Sequence, residues 1–150
     1  MNSNPCELEF SVDVDVSSSF AWEWRTDVKN WDDPPARFDL DGPFAAGSSG
    51  TTLLPGQEPL HWRIREVQPG RSFTITMTLP DDAVLAFEWR FNAVSDSRTR
   101  MTQRIVLSGD NADAYAAQVR DGFGSTLADG MKRIADAMAR AARSEATRPC

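Results

Sequence analysis

The side chains in this sequence that could do chemistry are few and far apart. His61 is the only histidine, Tyr115 the only tyrosine, and the two cysteines, Cys6 and Cys150, stand near opposite ends. That supply is too thin for a nitrogen- or sulfur-rich metal centre, which takes three or four such ligands at close spacing. No G-x-S-x-G elbow and no Ser-His-Asp order is present. GFGS at 122–125 is glycine-rich, but it lies inside a helical pattern and follows no strand, so it is not a phosphate-cradling loop. Proton transfer would need a pocket acid or base, and Glu88, the nearest candidate among bulky apolar neighbours, falls on the wet parity of its strand. Gln103 stands out because it shares an otherwise apolar face. A buried amide must find hydrogen bonds, either in backbone and water or in a ligand carbonyl or hydroxyl, and both readings stay open. Tyr115 offers a second handle of the same kind, or a hydroxyl reaching for solvent. No catalytic residue can be assigned.

The elements that would position these groups alternate with a period of two. LAFEWRFNAV (85–94) puts Leu85, Phe87, Trp89 and Phe91 on one parity and Ala86, Glu88, Arg90 and Asn92 on the other, the mark of a strand with one apolar face. ELEFSVDVDV (7–16), LHWRIREV (60–67), SFTITMTL (72–79) and TRMTQRIVLSG (99–109) read the same way, and ARFDLDG (36–42) and SSGTTLLPG (48–56) read as two further strands. Between the first two strands, SSS (17–19) offers N-caps for a short helix FAWEWRTDV. DVKNWDDPP follows as a second short helix or turn, with Asp27 and Trp31 capping and wedging. From Asn111 the period becomes three to four. Tyr115, Val119, Phe123, Leu127, Met131, Ile134 and Met138 predict one long amphipathic helix to about Arg143, capped by Asp110 or Asn111. Gly122, Gly124 and Gly130 weaken it and signal a bend or a close approach.

Composition bounds the function. The formal net charge of -6 argues against a phosphate-backbone binder. Residues 1–45 hold ten acids against three bases, read as a solvated acidic surface. No apolar stretch approaches the roughly 20 residues of a membrane span. The N-terminus has no apolar core of a leader, so a cytoplasmic protein with free thiols is expected, with a Cys6–Cys150 bridge as the alternative. One domain is expected over 1–150, its ordered core from about 7 to 143.

Four pieces of sequence carry a resemblance in their order and spacing: TDVKNW (26–31) after the first strand, DGPFAAGSSG (41–50), WRIREVQPGRSFTI (62–75), and TRMTQRIVLSG (99–109) before the long helix. Together, from about Phe10 to Met138, they resemble the helix-grip fold of the START-related superfamily that includes the birch-pollen allergens. Within it they look most like the polyketide cyclase/dehydrase-like branch. The resemblance implies an α+β domain: a curved antiparallel sheet of about seven strands around a long C-terminal helix, with two short helices after strand 1 and a hydrophobic cavity between sheet and helix. The expected cavity wall is Trp62, Ile64, Phe73, Ile75, Met77, Phe87, Trp89, Phe91, Met101 and Gln103 from the sheet, faced by Tyr115, Val119, Phe123 and Leu127. Each of these alone reads as core; as a set they read as a pocket for a hydrophobic, lipid-like or polycyclic small molecule. A polyketide cyclase or dehydrase and a co-chaperone-like interaction protein are the alternatives. Neither a cofactor nor a metal is called for, nucleic acid is not an expected partner, and a homodimer is left open.

Overall fold

Alternating side chains become seven antiparallel strands, and the three-to-four period becomes helix. The computed structural model describes residues 6–31, 35–124 and 126–146. The strands are β1 (Cys6–Val14), β2 (Arg37–Asp41), β3 (Ser49–Leu53), β4 (Leu60–Gln68), β5 (Ser72–Thr78), β6 (Ala83–Ser95) and β7 (Arg98–Gly109). They form one sheet in the order β1-β7-β6-β5-β4-β3-β2, so β2 to β7 is a run of hairpins and β1 returns to close on β7. A register shift between Ile64 and Glu66 turns Val67 inward and bends β4, as a bulge does.

Helix α1 (Ser18–Arg25) begins where Ser17 accepts a hydrogen bond from the Phe20 amide at 3.1 Å. The second short element is a single 3-10 turn, Val28–Asn30, capped by the Asp27 carboxylate on the Lys29 amide. The predicted long helix is interrupted. A 3-10 turn at Ala112–Tyr115 leads into α2 (Ala116–Phe123), and α3 (Leu127–Ala146) starts afresh after Gly124. Gly124 still carries helical dihedrals and donates its N–H to the Arg120 carbonyl, in a position where any Cβ would overlap that same oxygen. The expected cap is also different: Asn111 enters the turn in the left-handed conformation, φ 61°, with no side-chain capping bond.

The sheet curls around α3 in the helix-grip arrangement. Its inner face and α3 share one core, built on Ile64, Phe73, Phe91, Met101, Met131 and Met138, all nearly inaccessible. A smaller core under α2 gathers Leu85, Ile105, Leu107 and Val119. The acids of β1, expected as a solvated surface, are in part paired across the outer face. Asp13 meets Arg100 directly opposite it, Asp15 meets Arg98, and Arg104 bridges Glu7 and Glu88. No described helix is long and apolar enough to cross a membrane. Cys150 lies outside the described residues, and with it the question of a terminal bridge.

Candidate functional site

A single helix about 10 Å wide cannot cover seven strands. Here α3 lies against β1, α1 also touching it, and stands off the β3–β6 side of the sheet. The uncovered concavity is a cavity of about 580 Å³, within the usual range for small-molecule sites. A second hollow of about 620 Å³ between α1 and β2 is an open groove with Glu23, Asp27, Lys29 and Asp39 on its walls. Its charged, solvent-open lining makes it the poorer candidate.

The floor of the inner cavity comes from alternate residues of adjacent strands: Trp62 on β4, Phe73, Ile75 and Met77 on β5, Phe87 and Trp89 on β6, and Gln103 on β7. Phe73 and Trp89 lie directly opposite each other in register, rings stacked at 6.1 Å. Trp62 is paired in register with Gly50, and its six-membered ring lies over that glycine, where any Cβ would overlap it. The indole N–H of Trp62 donates to the Thr52 hydroxyl at 3.0 Å. Thus Gly50 and Thr52 together fix the plane of one aromatic wall.

The roof on one side is α3, where Gly130, Arg133, Ile134, Ala137 and Arg140 form a stripe at helical spacing next to the core stripe of Met131, Ala135 and Met138. Phe123, the last residue of α2, closes one end and meets Phe87 edge-on at 5.8 Å. The other side is the end of α1 and the segment after it. The last carbonyls of a helix lack partners within it. Here Asn30 donates to the Trp24 carbonyl at 2.9 Å, and the Trp31 indole N–H donates to the Arg25 carbonyl at 2.7 Å. These bonds hold Trp31 beside Trp62, with ring centroids 5.5 Å apart.

Arg25 therefore lies inside an aromatic cage. Its guanidinium carbon is 4.7 Å from the Trp31 ring centroid and 4.3 Å from that of Trp89. Nε is sealed and has no hydrogen-bond partner. Burial pushes the guanidinium down to about 9, so it remains a cation at neutral pH. Its place in the last turn of α1 gives it the partial negative charge of the helix C-terminus as compensation.

Of the expected wall, the structure brings together Trp62, Phe73, Ile75, Met77, Phe87, Trp89, Gln103 and Phe123. The other six stand elsewhere. Ile64, Phe91 and Met101 are sealed in the main core, behind Trp22 and the α3 methionines, because α3 and α1 press on that end of the sheet. Val119 belongs to the core under α2, and Leu127 packs between the two cores. Tyr115 donates its hydroxyl to the Pro80 carbonyl at 3.1 Å, away from the cavity, so the pair Gln103–Tyr115 does not form. Trp24, Arg25, Trp31 and the α3 stripe were not anticipated; the tryptophans of 24–31 were the available signal. Among the described lining residues there is no carboxylate, histidine, cysteine, lysine or tyrosine.

Comparison with known proteins agrees with this architecture. No curated protein sequence matches the chain. Among solved structures, the Zhui aromatase/cyclase of a Streptomyces species superposes with TM-score 0.70 at 16% identity, over 89% of this chain and 93% of that one. A structural-genomics protein of Nitrosomonas europaea gives TM-score 0.70 at 13% identity, over 93% and 97%. Norcoclaurine synthase of Thalictrum flavum, solved with dopamine and hydroxybenzaldehyde, gives 0.70 at 11% identity, over 96% and 88%. At these identities the likeness establishes the fold. The family described as polyketide cyclase / dehydrase and lipid transport matches residues 5–144, nearly the whole chain, and the protein belongs to that family.

Proposed function

We propose that the protein binds one apolar small molecule, lipid-like or polycyclic, in the cavity between β3–β7 and α3. The observation that carries this reading is a 580 Å³ space walled by Trp62, Phe73, Phe87, Trp89 and Ile134, with Leu60, 37% exposed, also on its lining. Filling it with a flat or extended apolar body removes aromatic surface from water, worth about 25 cal/mol per Å². A protein that used this face only for packing would fill it with its own side chains, as the neighbouring core does.

Binding is favoured over cyclisation by what the wall lacks. An aldol-type closure needs a group that takes up and returns a proton. The described lining offers amides, one hydroxyl already accepting from Trp62, and arginines. The open cavity equally weighs against a purely protein-binding role. The acidic balance of the chain keeps nucleic acid from the expected partners, and the cytoplasm is the expected compartment.

Titration with the neutral dye N-phenyl-1-naphthylamine tests the reading. One saturable site, lost when Gly130→Phe fills the cavity, is the expected result. Dye uptake that ignores this substitution would move the site elsewhere.

A further inference from the structure

We propose that the cavity's ligand carries an anionic head, a carboxylate above all, and that Arg25 receives it. This rests on the small-molecule reading above and names the chemical class which that reading leaves open.

Two indoles occupy the neighbourhood of the guanidinium, but a π face accepts no conventional hydrogen bond. The N–H donors lie in the guanidinium plane and point along its edges. Nε has no acceptor at all. Arg25 is half-buried with its Nε sealed from both water and acceptors, and a cation so placed is costly to leave without an anionic partner. Because Nε is sealed, a carboxylate arriving in the plane meets the two terminal Nη groups end-on, two oxygens against two N–H donors, a geometry for which the residue is suited.

The surroundings point the same way. The chain has a net charge of -6, yet its cavity is lined by Arg25, Arg133 and Arg140, with no acid among the described lining residues. Glu23 and Asp27, the acids nearest Arg25 in sequence, line the outer groove beside α1 and not this cavity, and Glu7, Asp13, Asp15 and Glu88 are engaged with arginines on the outer face. A concave, apolar, cationic site in an acidic protein concentrates field on an entering anion. Gln103, on the floor, makes no side-chain hydrogen bond among the described residues, and it offers an amide to any oxygen along the ligand.

The test is a matched pair of fluorescent probes, cis-parinaric acid and its methyl ester, titrated into the full chain at neutral pH. The acid is expected to bind about tenfold or more tightly than the ester, the size of one charge-assisted bidentate contact. Arg25→Met should bring the acid down to the ester's affinity, and Arg25→Lys should keep part of the preference. Equal affinities of acid and ester for the unaltered chain would overturn the anionic head while leaving the cavity in place. Absence of saturable binding by either probe would overturn the cavity reading instead. If the rim substitutions Arg133→Gln and Arg140→Gln abolish the preference while Arg25→Met keeps it, the assignment to Arg25 is wrong.

Discussion

In the proposed binding mode two side chains, Trp62 and Arg25, set what the cavity can hold, and strand parity revealed one of them. Trp62 was legible because alternation in LHWRIREV forces it inward, and the structure buries it. Its exact placement depends on Gly50, which no periodicity marks as special. Gly50→Ala must push the indole away or distort β3. It should cost about 1–3 kcal/mol, as overpacking does, and weaken dye binding in the same variant; thermal unfolding and titration check both. Arg25 was not legible. It sits in an eight-residue helix too short for a clear period, and its cage is completed by Trp89, far along the chain. A cation whose folded-state value is lowered to about 9 costs stability at every pH below that value, since the unfolded chain holds the proton more readily. Arg25→Met gives up two cation–π contacts of about 1–2 kcal/mol each at a half-buried site, and removes a desolvation cost of several kcal/mol. The ligand-free variant should therefore melt no lower than the wild type. A drop of several degrees would mark Arg25 as a structural clamp.

Among the elements, the strands were the easier part, because a period of two survives any packing arrangement. The long helix was harder. The apolar repeat runs unbroken from Tyr115 to Met138, so periodicity alone joins α2 to α3, and only the glycines hinted at the break. The consequence is functional: the break lets Phe123 close the cavity while Val119 packs beneath β6 and β7. Gly130, three residues into α3, shows the same trade. It weakens the helix by about 1 kcal/mol relative to alanine, and its missing Cβ would meet nothing nearer than the Arg133 side chain at 3.9 Å. Gly130→Ala should thus raise Tm by about 2–4 °C. A larger residue there should take up cavity space and lower dye affinity. Unchanged stability on Gly130→Ala would show that the start of α3 is not helical in solution.

On the scale of the whole molecule, the sequence supported the sheet, the terminal helix and the family resemblance, and it could not place the cavity. Parity says which side chains face inward, but not where a helix leans. Because α3 leans on β1, Ile64, Phe91 and Met101 became core and the β3–β6 side became the pocket. That lean depends on β1 being held to β7, which the cross-strand pairs assist. Hydrogen bonds from Arg104 to Glu7 and from Arg100 to Asp13 hold both carboxyls below their ordinary values of 4.5 and 3.8. A lowered carboxyl value contributes stability above the unfolded value, and that contribution is lost as pH falls through the folded one. Stability should therefore begin to fall as pH drops through the 4s and fall further below 3.8, by the small amount exposed pairs supply, and Asp13→Asn should flatten the lower part of that limb; thermal unfolding followed by circular dichroism at a series of pH values checks it. The central claim is that the space left by this lean is occupied by a small molecule. Native mass spectrometry of protein purified from its own host tests it most directly. The account predicts the mass of the chain plus one small organic molecule, released by solvent extraction and absent from Gly130→Phe. A bare chain mass that also takes up no N-phenyl-1-naphthylamine would contradict it.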